Sequence, residues 1–139
     1  MTPFDNPVAF RLEIEVRPPE ALDPVSGGPV RLVQVAGGRV SGVIEGRILP
    51  GGADWQTLRS DGTIEIEARY LVELVDGTRL EVLNRGLRAP GAAGFWSSIW
   101  LRSEAPSLAE LTRTHFIAFG RKLPDCVAID AYAPPQDGL

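Results

Sequence analysis

Residues 63–75 read Thr-Ile-Glu-Ile-Glu-Ala-Arg-Tyr-Leu-Val-Glu-Leu-Val, and apolar and polar side chains alternate along them. One face of this segment carries Ile64, Ile66, Ala68, Tyr70, Val72 and Leu74. Strict alternation predicts a β-strand with one buried face and one face toward solvent. Val8–Arg17 alternates in the same way and predicts a second strand of this kind.

Glycine and proline separate the other short apolar runs of the chain. The 139 residues include 15 Gly and 12 Pro, and these residues lie between apolar runs as turns do in all-β proteins. We predict one domain over residues 1–139, an all-β antiparallel barrel of about nine strands with one short helix. Gly37-Gly38 predicts a hairpin between two of these strands. The spacing of Ser107 and Glu110 predicts a capping box at the start of a helix over Ser107–Arg113.

The charge and the rare residue types exclude several classes of protein. There are 18 acidic and 14 basic residues, with no cluster of Lys or Arg, so no nucleic-acid partner is expected. One cysteine and one histidine predict no metal site, and we expect no cofactor. No apolar run is long enough to cross a bilayer, and the first seven residues do not resemble a signal peptide. We therefore expect a cytoplasmic protein with no membrane partner.

Two Asp-Gly turns predict which strand residues face each other. A three-residue loop ending at Gly77 pairs Ala68 with Asn84, and it brings the apolar faces of both strands together. A two-residue turn would mix core and solvent residues on one face. A three-residue loop ending at Gly62 places Asp54 opposite Ala68 by the same reasoning.

The two registers converge at Ala68. They place Asp54, Gln56, Tyr70 and Asn84 on an inner face that is otherwise apolar. Buried polar groups need partners, so one interpretation is a hydrogen-bonded polar plug at the end of the barrel. The other interpretation is a small-molecule pocket, in which polar groups converge within an apolar cavity.

In the pocket interpretation, Asp54, Tyr70 and Asn84 are the catalytic candidates. Desolvation raises the pKa of a carboxyl group in an apolar wall, which suits acid/base work near neutral pH. Tyr70 and Asn84 would then donate hydrogen bonds to a carbonyl or enolate oxygen. Gln56 is a candidate substrate-binding residue beside them.

Four further residues are candidates for substrate binding. Arg69 falls on the outer face in this register, where a surface ion pair is the alternative. Trp55 points outward and would cover the rim or a subunit contact. Trp96 and Trp100 share one face of a strand, so they would either wall the pocket or pack in the core.

Leu49-Pro50-Gly51-Gly52-Ala53-Asp54-Trp55-Gln56 resembles the signature of a bacterial and fungal family known as domain of unknown function 3237. Further similar pieces are Ala68-Arg69-Tyr70 and Asn84-Arg85-Gly86. The resemblance implies a compact cytoplasmic β-barrel, with a homodimer as one expectation, and it implies no reaction. Its shared positions include Asp54, Gln56, Arg69, Tyr70 and Asn84. The segment Ser107–Thr114 departs from the family pattern, so Glu110 would be a new pocket residue if that segment lined the pocket.

Three functions follow as hypotheses. The first is a cofactor-independent isomerase, cyclase or lyase acting on a small carbonyl or hydroxy compound. The second is a non-catalytic barrel that binds a small apolar ligand. The third is a structural homo-oligomer, which predicts a filled barrel with no cavity beside Ala68.

Overall fold

The structure is a computed structural model that describes residues 6–25 and 28–134. For residues 23–25 it describes the backbone and not the side chains. The signal-peptide argument rests on the first seven residues, and the first five of these lie outside this part of the chain. The strands are β1 Phe10–Val16, β2 Glu20–Val25, β3 Gly28–Gly42, β4 Gly46–Ile48, β5 Ala53–Leu58, β6 Ile64–Leu74, β7 Arg79–Arg88, β8 Gly94–Arg102, β9 Phe116–Lys122 and β10 Val127–Tyr132. No helix among the described residues is long and apolar enough to cross a membrane.

The strands form a closed antiparallel barrel, which confirms the predicted fold class. Hydrogen-bonded neighbours follow the order β1, β10, β9, β8, β7, β6, β4 and β3, and β3 pairs with β1 to close the ring of eight. β4 and β5 both lie between β3 and β6. β4 pairs with residues 38–40 of β3 and 72–74 of β6, and β5 pairs with residues 30–34 of β3 and 64–69 of β6. Closure leaves no exposed strand edge in the ring, which protects the sheet from pairing with other chains.

Both predicted turn registers are present. β6 pairs with β7 so that Ala68 lies opposite Asn84, and β5 pairs with β6 so that Asp54 lies opposite Ala68. Gly62 and Gly77 each have φ of 89°, in the left-handed region that a three-residue loop requires at this position. Mispairing by one residue would turn the apolar face of β6 toward solvent, so the burial of that face selects this register.

The predicted hairpin at Gly37-Gly38 is wrong. Both glycines lie inside β3, which continues for 15 residues and pairs with β1 along its second half. β1 passes so close to β3 that a Cβ on Gly38 would lie 2.1 Å from the carbonyl oxygen of Glu13. The two glycines therefore permit a close strand crossing, with a register shift beside it at Glu15 and Val16.

An apolar core fills one end of the barrel. Phe10 and Phe116 meet edge to face with ring centroids 5.0 Å apart, and Leu108 is buried in the same core. Leu108 ends a 3₁₀ turn at Pro106–Leu108, which continues into α1 at Ala109–Thr112. The predicted short helix is therefore present, whereas the capping box is wrong, because no side chain caps either segment.

Candidate functional site

The opposite end of the barrel contains a cavity of about 570 Å³. Small-molecule sites typically have volumes of about 300–1,000 Å³. The deeper wall is mainly aliphatic and comes from five strands, with Ile14, Val33, Val35, Ile66, Ala68, Phe95 and Ile129 among the lining residues. The small side chain of Ala68 leaves space between its two polar neighbours, Asp54 and Asn84. The cavity contradicts the filled barrel that the structural-oligomer hypothesis predicts.

Asp54, Gln56, Tyr70 and Asn84 all line this cavity. The structure therefore brings together the four inner polar residues that the turn registers predict. Asp54 and Gln56 come from β5, Tyr70 from β6 and Asn84 from β7, so three neighbouring strands position the group. Because alternate residues of a strand face the same side, Asp54 and Gln56 present their side chains together.

Asp54 is held by two hydrogen bonds in the cavity wall. The Gln56 Nε2 donates to Asp54 Oδ2 at 2.7 Å, and the backbone N–H of Glu67 donates to Asp54 Oδ1 at 3.2 Å. Burial raises the pKa of the Asp54 carboxyl group, and these hydrogen bonds and the charge of Arg31 oppose the rise without cancelling it. Asp54 is therefore a stronger base than a solvent-exposed aspartate.

Sequence reasoning missed Arg31, which extends this hydrogen-bond chain. Arg31 lies opposite Gln56 in the pairing of β3 with β5, and its Nε donates to Gln56 Oε1 at 2.6 Å. Gln56 therefore links the Arg31 guanidinium to the Asp54 carboxylate. Only the pairing of β3 with β5 could reveal this contact, since 25 residues separate Arg31 from Gln56.

Tyr70 and Asn84 present polar atoms that the described residues leave without a partner. Tyr70 is 2% exposed and Asn84 is 1% exposed, and neither the Tyr70 hydroxyl nor Asn84 Oδ1 has a hydrogen-bond partner there. Burial, reinforced by the charge of Asp54, raises the pKa of Tyr70, so its hydroxyl stays protonated and remains a donor. Such orphaned buried groups are rare in native proteins and call for an explanation.

The other sequence-predicted site residues lie outside the cavity. Arg69 faces outward because its neighbours Ala68 and Tyr70 face inward, and it forms an ion pair with Glu81. Glu110 is on α1, away from the cavity, and pairs with Arg113 at 3.7 Å. Arg69 therefore lies on the outer face, as the register predicts, and its role in substrate binding stays a prediction. Glu110 does not line the cavity.

The three tryptophans lie on the outer face of the barrel. Trp55 is 52% exposed and Trp96 is 49% exposed, while the Trp100 ring lies 5.8 Å from that of His115. Trp96 and Trp100 line neither the barrel cavity nor the core, because Ile99 faces inward opposite Asn84 and the residues on either side of it face outward. With Trp55 they line a groove on the outer face, so their role in ligand binding stays a prediction. The homodimer stays a prediction.

Groups of residues able to hold a metal are absent from the described part of the chain, where no three His, Cys, Asp or Glu side chains cluster. The inner polar group contains one carboxylate, two amides and one phenol. Such a set fits hydrogen bonding and proton transfer to an organic molecule.

The family model for "Protein of unknown function (DUF3237)" matches residues 7–94. The chain belongs to this family. The match confirms the resemblance seen at residues 49–56, and it includes all four inner polar residues. A UPF0311 protein of Bradyrhizobium diazoefficiens is 35% identical over 89 residues, which span 63% of this chain and 59% of that protein. A UPF0311 protein of Clostridium acetobutylicum is 42% identical over 62 residues, 44% of this chain and 39% of that protein.

Solved structures of other proteins are similar to nearly the whole chain. A protein with unknown function from Clostridium acetobutylicum superimposes with a TM-score of 0.86 at 27% identity, covering 95% of this chain and all of that one. A beta-barrel like protein from Acinetobacter baumannii gives 0.84 at 26% identity, covering 96% and 97%. An enzyme from Penicillium herquei gives 0.66 at 20% identity, covering 95% and 97%, and this likeness concerns the fold alone.

Proposed function

We propose that this protein is a cofactor-independent enzyme that isomerises, cyclises or eliminates a small carbonyl or hydroxy compound inside the barrel. The observation that carries the proposal is the position of Asp54. Its carboxyl group has a raised pKa and is oriented by two donors. It shares an apolar cavity with two buried polar atoms that find no hydrogen-bond partner among the described residues.

In the proposed step, the Asp54 carboxylate removes a proton from a carbon beside the substrate carbonyl. The electron pair of that C–H bond moves toward the carbonyl oxygen, which becomes an enolate, and Asp54 returns the proton at another position. The Tyr70 hydroxyl donates a hydrogen bond to the enolate oxygen, where the negative charge develops. Asn84 Oδ1 accepts a hydrogen bond from a substrate hydroxyl, which differs from the donor role that the sequence suggested for Asn84.

The test is catalysed hydrogen–deuterium exchange beside a carbonyl group. Proton NMR in D₂O would follow loss of the α-proton signal of 1-indanone and 4-chromanone, two compounds small enough for the cavity. We expect the wild-type protein to accelerate exchange and Asp54→Asn to lower that acceleration by about 100-fold or more, the usual contribution of a positioned base.

Asp76→Asn is the matched control. Asp76 lies in the turn at the other end of β6, where its Oδ1 accepts from the Thr78 N–H at 2.9 Å, a role that asparagine can keep. Exchange that is equally fast in Asp54→Asn and wild type would contradict the proposal.

A non-catalytic barrel that binds a small apolar ligand is the second candidate. The mainly aliphatic deeper wall of the cavity favours it. A binding protein would tolerate Asp54→Asn with its ligand affinity intact and would accelerate no exchange.

A further inference from the structure

The basic side chains of this protein divide into two groups. Ten of the fourteen lie within 4.0 Å of a carboxylate oxygen in the part of the chain that the structure describes. The four that have no such carboxylate partner among the described residues are Arg17, Arg31, Arg88 and Lys122. All four line the cavity.

The position of these four cations follows from the topology. Arg17 follows the end of β1, Arg88 ends β7 and Lys122 ends β9, so strands that reach the same end of the barrel bring them to the mouth. Arg88 is held there because its Nε donates to the carbonyl oxygen of Ala92 at 3.0 Å. Arg31 lies deeper and reaches Gln56, as described above. We name this group the cationic mouth.

The charge of the cationic mouth is opposite to that of the whole chain. The chain has a net charge of −4, yet Asp54 is the one carboxylate among the described cavity-lining residues. Clefts lined by one sign of charge, with low-dielectric walls, concentrate ligands of the opposite sign. A guanidinium group also matches the two oxygens of a carboxylate or phosphate group.

We propose that the ligand of this cavity is a small amphipathic anion, with its carboxylate or phosphate group at the cationic mouth and its apolar body against the aliphatic wall. This proposal deepens the proposed function and rests on it for the reaction, but not for the binding preference. The apolar body would place its reactive carbon near Asp54, while the anionic group stays beside Arg31, Arg88 and Lys122.

The test compares four probes that share a naphthalene body. The probes are 2-naphthoate, 2-naphthyl phosphate, neutral 2-naphthalenemethanol and cationic 2-naphthalenemethylamine, and isothermal titration calorimetry at pH 7.5 measures their binding. We expect at least one anion to bind about tenfold or more tighter than the alcohol, and the amine to bind weakest. The anion preference should shrink between about 20 mM and 500 mM NaCl, because salt screens exposed charges. The tighter anion identifies the head group.

Two double variants distinguish the effect of the cationic mouth on anion binding from the effect of the net charge of the protein. Arg88→Gln with Lys122→Gln should reduce the anion preference to about threefold or less. Arg47→Gln with Arg85→Gln removes the same charge from the outer face, where these arginines pair with Glu73 and Glu67, and should keep the preference. All four positions are solvent-exposed, so thermal unfolding should confirm that both variants fold.

The outcomes distinguish the two proposals. Equal binding of anions and alcohol by the wild type, binding of none of the probes, or an equal loss of preference in both double variants would overturn the anion proposal. Asp54→Asn should keep the anion preference. If Asp54→Asn also leaves deuterium exchange unchanged, the proposed enzymatic function fails while the anion site stands.

Discussion

Replacing Tyr70 with phenylalanine should make the protein more stable and less active. The Tyr70 hydroxyl is buried and has no hydrogen-bond partner among the described residues, so folding removes it from water without compensation. Burial of an unpaired polar group of this kind costs about 1–3 kcal/mol. Phenylalanine keeps the ring and its packing, so Tyr70→Phe should raise the free energy of unfolding by about 1 kcal/mol.

Urea denaturation followed by circular dichroism measures this change, and thermal unfolding provides a second reading. A gain of about 1 kcal/mol corresponds to a rise in Tm of about 3–5 °C for a domain of this size. In the exchange assay, the same variant should lose activity, because the enolate oxygen would lack its donor. Stability and activity would then change in opposite directions, as expected for a group retained for function.

Tyr132→Phe is the matched control, since Tyr132 is the other tyrosine and its ring is also buried. The Tyr132 hydroxyl is not among the buried side-chain atoms without partners, so its removal relieves no buried unpaired group and should not raise the free energy of unfolding. A loss of stability in Tyr70→Phe would refute the reasoning, because it would mean that the hydroxyl forms a hydrogen bond in the folded protein.

Two other measurements test the site and the fold. The pKa of Asp54 is raised in the folded state, so this group favours folding below its unfolded pKa near 3.8, and that contribution disappears as pH rises through the folded pKa. As pH rises from 3 to 7, the free energy of unfolding of Asp54→Asn should therefore increase relative to that of the wild type. The increase should be about 1.4 kcal/mol for each pH unit that separates the folded and unfolded pKa values of Asp54. Parallel profiles of unfolding free energy against pH would contradict this. Gly38→Ala should cost more than about 3 kcal/mol, since its Cβ would lie 2.1 Å from a backbone oxygen. Gly77→Ala, with nothing within 4 Å, should cost about 1 kcal/mol for its left-handed φ. Equal losses in urea denaturation would contradict the close crossing of β1 and β3.

The part of the site that could be predicted from sequence depends on neighbouring strands joined by short turns. Asp54, Ala68 and Asn84 lie on three consecutive strands, and matching the apolar faces across each turn was enough to align them. Local contacts of this kind follow from the alternation and the turn residues alone.

The rest of the site depends on strands that are distant in sequence. Arg31 faces Gln56 only because β3 pairs with β5, and the cationic mouth exists only because the closed ring brings the ends of β1, β7 and β9 together.

The positions of the tryptophans are difficult to predict for a different reason. Trp96 and Trp100 alternate with Phe95, Ile99 and Leu101, so both faces of β8 are apolar and the pattern alone does not identify the inner one.

The two halves of the cavity act on Asp54 in opposite directions. Its apolar wall raises the pKa of the carboxyl group, and the charge of Arg31 lowers it. An anionic ligand bound at Arg31 would offset that positive charge and place a second negative charge near Asp54, and both effects raise the pKa of Asp54 further. In the proposed enzyme, substrate binding would therefore strengthen the base that acts on it, and a neutral analogue of the same shape would leave Asp54 a weaker base.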